Sequence, residues 1–387
     1  MTDEAVVLEA AAVVLDDAGV LLWLLEHAAR PTEATQITIP VARNDRRTRA
    51  LPHRRRKRSY DAAMFMLRFD MRAPSEGPAD IRDLYEAAVE MSTWGEQHGA
   101  LAVVLSEHHA SPDGYLPSPL VLAAAIAART TTVPITVAAL LVPLHDPVRL
   151  AEDMAVLDVV SRGRVGYVTG LGYRPEEYAM FGRSMAQRGR RIEECLTVLA
   201  RAWSGEEFEY EGRTVRVTPR PSTPGGPFLM YGGGSPAAAR RAARFGLGFL
   251  AQTSAAGLED AYTDECERLG QAPGMCVIPA AGSATTIFVA EDVDRAWEQI
   301  GPFMLHDARM YASWLQDAAA VSKSTALTID ALRAESGAYR VLTPEEAVEY
   351  ARTFGALTLH PLCGGCPPEL AWETLHLVAD EVLPALR

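Results

Sequence analysis

Four short segments of this sequence bring together residue types that can do chemistry. The first is Ser106-Glu107-His108-His109. Two imidazoles beside a carboxylate can move protons near neutral pH. The same residue types can hold a metal ion, and a buried histidine pair without chemistry is the plain alternative. A metal would need further ligands. His145 and His360 are available, but no spacing ties them to the segment. The expectation is a proton-transfer or hydrogen-bonding group that serves a bound cofactor, with His108 as its centre, Glu107 and His109 beside it, and no metal.

The second segment is Ala138-Ala139, two small residues that let a planar group approach the backbone or simply pack a core. The third is Gly170-Leu171-Gly172-Tyr173-Arg174, where glycine permits close ligand approach and Arg174 can neutralise an anion. The fourth is Gly232-Gly233-Gly234-Ser235-Pro236. Free N–H groups of a glycine turn, followed by the positive end of a helix, make a phosphate cradle. Arg240 and Arg241 lie a turn or two into that helix and need not reach the phosphate. The third and fourth segments also read as ordinary strand-to-helix turns. Cys363-Gly364-Gly365-Cys366 has the spacing of a zinc or redox pair. It has no second pair, and Cys195, Cys266 and Cys276 are scattered, so it reads as a glycine-rich turn.

What must position these segments is a chain of βα units. β-rich runs at 65–70, 101–105, 135–139, 164–168, 228–231, 247–251, 285–290 and 357–359 alternate with helical patterns at 80–98, 119–129, 147–160, 188–203, 235–245, 257–269, 344–354 and 367–386. That alternation predicts a parallel sheet. Eight units predict an α/β fold, a (β/α)8 TIM barrel, with an insertion between strands 7 and 8. Chemistry in such barrels sits at the C-terminal strand ends, where all four segments fall. Generic barrel phosphate sites follow strands 7 and 8, whereas this glycine run follows the fifth. A small hairpin is expected over 208–217, turning at Glu211-Gly212. The excursion around 300–342 is too long for an ordinary loop and reads as a lid.

Residues 1–63 differ in texture from the rest. An apolar stretch at 5–28 precedes a basic run at 43–58. This order is wrong for a secretory signal, and the segment is expected to be a non-catalytic, solvated extension to a domain spanning 64–387. The 387 residues carry a formal charge of −13, which argues against nucleic-acid partners. No apolar run long enough for a membrane span is visible. Five cysteines make no disulfide framework. The cytoplasm is the expected location.

Taken in order, several segments together resemble the luciferase-like flavin-dependent monooxygenases. These are Ser106-Glu107-His108-His109, Pro143-Leu144-His145-Asp146-Pro147, Leu157-Asp158-Val159-Val160-Ser161-Arg162-Gly163-Arg164, Gly172-Tyr173-Arg174-Pro175-Glu176-Glu177-Tyr178, Phe208-Glu209-Tyr210-Glu211-Gly212-Arg213, Gly232-Gly233-Gly234-Ser235-Pro236 and Pro361-Leu362-Cys363-Gly364-Gly365. The likeness covers about 65–386. It implies reduced FMN at the top of the barrel, with Gly234 and Ser235 on the phosphate and Gly232, Gly233, Gly172, Tyr173 and Arg174 around it. It places Ala138-Ala139 where the family has a non-proline cis peptide under the isoalloxazine, and His108 at a catalytic histidine. Luciferases carry a reactive cysteine and an arginine where this chain has Gly170 and Leu171. That departure argues against light emission and leaves Arg174 to share the phosphate. The implied activity is oxygenation of a small organic substrate by dioxygen, with a separate flavin reductase as partner and a homodimeric state. The alternatives are hydride transfer with a deazaflavin, whose users tend to have Ser-Asp-His at 106–108, and a non-catalytic flavin-binding role.

Overall fold

The computed structural model describes residues 65–315 and 320–387. The readings made for residues 1–63 lie outside them. The strands are β1 Phe65–Phe69, β2 Val103–Leu105, β3 Ile135–Leu140, β4 Val165–Thr169, β5 Phe208–Tyr210, β6 Arg213–Val215, β7 Leu229–Gly233, β8 Gly248–Ala251, β9 Cys276–Val277, β10 Thr286–Val289, β11 Tyr339–Leu342 and β12 Leu357–Leu359. Ten of them form one sheet in the order β11-β10-β12-β1-β2-β3-β4-β7-β8-β9, and β5 and β6 form a separate hairpin. Every pairing in the large sheet is parallel. Among the described residues no strand pairing joins its two ends. The architecture is the expected α/β arrangement of the TIM-barrel class, with helices between most successive strands of the large sheet.

Strands covered on both faces are mainly apolar, as β4 shows with all five residues buried and Thr169, its last, donating to the Met230 carbonyl. The helices carry their own start signals. Asp80 accepts from the Arg82 N–H at 2.8 Å before the Ile81–Gln97 helix. Asp146 accepts from the Val148 and Arg149 N–H groups, both at 3.0 Å, before Pro147–Ser161. Thr343 and Glu346 close a capping box before Pro344–Phe354. Leu84, Ala87, Ala88 and Met91 form the buried face of the first helix, and truncating such a leucine to alanine costs about 2–5 kcal/mol. Away from the site, Arg164 ties the ends of two helices by donating to the carbonyls of Ala127, Thr130, Val133 and Ser161.

Two extra strands correct the expected count of eight. β9 is only two residues long, too short to show a period. β11 lies inside the excursion read as a lid. That stretch is structured: the 23-residue helix Val293–Leu315, the helix Ile329–Glu335, then β11 paired with β10. Trp297, Ile300, Met304, Ala308, Tyr311 and Leu315 bury one face of the long helix, so this stretch is a packed element and not a loop. The glycine run also shifts. Gly232 and Gly233 are the last residues of β7, paired with Leu250 and Ala251. The hairpin forms as expected, with Glu211 and Gly212 at φ 49° and 70°.

Candidate active site

A cavity of about 460 Å³ opens at the C-terminal ends of the strands, within the range of small-molecule sites. Ser106, Glu107 and His108 enter it after β2, Ala138 and Ala139 from β3, and Gly170, Gly172 and Tyr173 after β4. Gly232, Gly233, Gly234 and Ser235 line the far side. Of the residues expected at the site, His109 and Arg174 are not among the cavity's lining residues.

The glycine side has no room for side chains. A Cβ on Gly232 would lie 2.8 Å from Val168 Cγ1, and one on Gly233 would lie 2.6 Å from Ala238 Cβ. Ser235 caps the Pro236–Arg244 helix, accepting from the Ala238 N–H at 3.3 Å. Bare backbone, a helix N-terminus and the cavity-lining Arg188 suit a phosphate. Arg174 cannot serve there. Its Nη1 donates to the His109 carbonyl at 2.6 Å, and its guanidinium lies 4.1 Å from the Trp314 ring centre. Arg188 lines the cavity where Arg174 does not; sequence reasoning passed over it because it opens a charged helix, Arg188–Ala202, outside the Gly232 to Ser235 run. The Ala138-Ala139 peptide is cis. A Cβ on Gly170 would sit 2.9 Å from Ala139 Cβ, so the two segments meet closely.

The adjacent histidines part company. His108 Nδ1 lies 2.8 Å from Glu177 Oε1, and the Tyr173 hydroxyl lies 3.1 Å from His108 Nε2. The same Glu177 oxygen accepts from the His109 N–H at 2.9 Å. Burial lowers the His108 pKa, aided by the Arg174 and Arg72 charges and opposed by Glu177. Burial pushes the Tyr173 phenol up. His109 turns away: its Nε2 meets Glu107 Oε1 at 3.0 Å, and His145 Nε2 meets the same oxygen at 2.8 Å. Glu107 Oε2 accepts from the Leu141 N–H at 2.5 Å. Burial would raise the Glu107 pKa, but these partners hold it at about 2. Glu107 is thus a fully engaged anion that fixes the turn after β3, and the tie to His145 has no signal in sequence spacing.

Behind the cavity, Arg72 bridges Asp307 at 2.7 Å and Asp113 at 2.6 Å. Asp307, His360 and Cys363 bring potential metal-ligand atoms within 4.8 Å of one another, but Asp307 is already taken by Arg72 and by the Tyr339 hydroxyl at 2.8 Å. Cys363 and Cys366 are buried, and burial pushes the Cys363 thiol up. Between them Gly364 has φ 62°, and a Cβ there would come 2.1 Å from the Phe303 carbonyl oxygen. Close helix approach accounts for the glycine.

The sequence profile of luciferase-like monooxygenases matches residues 64–356. The chain belongs to this family. It is 26% identical to an F420-dependent glucose-6-phosphate dehydrogenase of Nakamurella multipartita, over 83% of this chain and 97% of that protein. It is also 26% identical to the oxygenase component of flavin-dependent trigonelline monooxygenase from Acinetobacter baylyi, over 37% of this chain and 40% of that protein. The crystal structure of monooxygenase RslO1 from Streptomyces bottropensis shares the fold at TM-score 0.65 and 22% identity, covering 84% of this chain and all of that one. The chain spans about two fifths of the length of the first curated relatives it matches, 38% and 44%. Among the described residues no helix is long and apolar enough to cross a membrane.

Proposed function

We propose that this family member is a flavin-dependent monooxygenase that uses reduced FMN and dioxygen to oxygenate a small organic substrate. The observation that carries the reading is one cavity lined both by the glycine run at a helix N-terminus and by His108 with Tyr173. Gly234, Ser235 and Arg188 would hold the FMN phosphate, and Ala138-Ala139 would lie beneath the ring. Bound reduced FMN supplies the electrons that activate dioxygen. The chain's own contribution is to orient both reactants, exclude water with Tyr311, Leu315 and Val321 at the cavity wall, and manage one proton at His108 Nε2. A separate reductase that delivers the reduced cofactor, a homodimeric assembly and a cytoplasmic location belong to the same reading.

A second reading is hydride transfer with a deazaflavin, favoured by the dehydrogenase relative that matches nearly the whole described chain. Glu107 where deazaflavin users tend to have aspartate favours FMN. Anaerobic titration of the purified protein with reduced FMN and with reduced deazaflavin separates the two. Tighter binding of FMN, and oxygen consumption when air is admitted, are expected. Preference for the deazaflavin with no oxygen consumption would overturn the oxygenase.

A further inference from the structure

This inference rests on the proposed oxidoreductase reading and names the proton chemistry of its site. Tyr173, His108 and Glu177 form a linear hydrogen-bonded chain that begins at the cavity and ends in the protein interior. Glu177 is fully buried. Its Oε1 is contacted by the His109 N–H and by Arg174 Nη1 at 3.4 Å as well as by His108. These donors make it an acceptor, so His108 Nδ1 carries the hydrogen and Nε2 offers a lone pair. The Tyr173 hydroxyl must then donate to Nε2 and turn its oxygen lone pairs away from it.

We infer that Tyr173–His108–Glu177 is a proton-accepting relay, and that the cavity takes a substrate whose reacting end carries an ionisable hydroxyl, a phenol, enol or alcohol, set against the Tyr173 oxygen. The proton balance follows from the orientation. The substrate O–H bond breaks and a new Tyr173 O–H bond forms. The original Tyr173 O–H bond breaks, and its proton joins His108 Nε2. The substrate keeps the electron pair as its oxyanion, and the product of the relay is an imidazolium facing the Glu177 carboxylate. Tyr173 is the catalytic residue that touches substrate, and Glu177 is a positioning residue.

Two further observations support the direction. Among the described residues Glu177 Oε2 is buried without a hydrogen-bond partner, so an imidazolium forming at Oε1 meets a carboxylate whose charge is not fully matched. The neutral resting histidine also matches the lowered pKa, for which burial is the first cause. The charged and titratable groups that bond to, stack on or shift His108 include Glu177, Arg174, Arg72, Tyr173, Tyr115 and Tyr311, and Glu107 and His109, which flank it in sequence, are bonded to each other. Only Glu177 among the first six is a carboxylate.

The experiment is 15N NMR of the full-length protein labelled at histidine, titrated with pH, with His108 assigned by its loss in His108→Asn. Wild type is expected to show a neutral His108 protonated on Nδ1. Glu177→Gln keeps the shape and an acceptor oxygen but removes the charge, and should lower the titration midpoint by about 1 pH unit or more. Tyr173→Phe removes the donor to Nε2 and should raise it. A purely structural role for either residue would not move the midpoint in opposite directions. An Nε2-protonated tautomer in wild type, or shifts of the same sign, would overturn the relay. Reduced-FMN affinity of wild type, Glu177→Gln and Tyr173→Phe is measured alongside. Loss of flavin binding in wild type defeats the oxidoreductase reading, whereas flavin binding with the wrong tautomer defeats the relay alone.

Discussion

Two glutamates, each bonded to the imidazole of one of two adjacent histidines, serve opposite ends. Glu107 has both oxygens satisfied, by His109, His145 and the Leu141 N–H. Glu177 has one oxygen crowded with donors and the other, among the described residues, without a partner. A buried carboxylate with every lone pair matched is architecture, since nothing is gained by changing its surroundings. One left half-satisfied beside a cavity histidine has something to gain when charge changes there. Identical residue types thus do different work because their hydrogen-bond accounts close differently.

The sharpest way to break this contrast is to remove the architectural partner. Glu107→Ala leaves the buried His109 imidazole, the partly exposed His145 imidazole and a backbone N–H unmatched. It should destabilise the fold by about 3–5 kcal/mol, read by urea denaturation. Acid should act on the same network. The Glu107 pKa is held at about 2, below its ordinary 4.5. Its stabilisation is therefore present above pH 4.5 and lost as pH falls toward 2. A urea midpoint that stays level through that window in wild type, yet falls in Glu107→Gln, would reverse the assignment.

On the functional side, His108→Asn should lower turnover about 100-fold or more while the urea midpoint moves far less than in Glu107→Ala. Steady-state kinetics with reductase-supplied FMN and a hydroxyl-bearing substrate would check this. Gly232→Ala sets a methyl against Val168. It should cost about 1–3 kcal/mol through overpacking, with weaker flavin binding by fluorescence titration. The smallest effect is the most selective. Arg188→Met should weaken FMN binding about tenfold, the worth of one charge-assisted contact, and leave riboflavin binding unchanged. Equal losses for both ligands would place the phosphate elsewhere.

The βα alternation, the Glu211-Gly212 turn and the glycine run are local patterns. They were legible because hydrophobic period and turn chemistry act over a few residues. The same locality placed His108, Tyr173, Ala138-Ala139 and Gly232 to Ser235 at strand ends, and the structure gathers them around one cavity. The 300–342 excursion was read as a long loop because a 23-residue helix and a four-residue strand show their purpose only against the faces that bury them; Tyr311, Leu315 and Val321 of that stretch do wall the cavity.

Sequence alone determined the family, the parallel α/β architecture and the segments that line the site. Those rest on residue types in order along the chain. Only tertiary structure decided that His109 leaves the cavity, that Arg174 is bound to Glu177 and Trp314 while Arg188 lines the cavity, and that His145 completes the Glu107 network. Each depends on which buried donors and acceptors meet across 38 residues or more in the case of Glu107 and His145, or 140 between Arg174 and Trp314. Hydrogen-bond matching over such separations is settled by packing geometry, which no local spacing encodes.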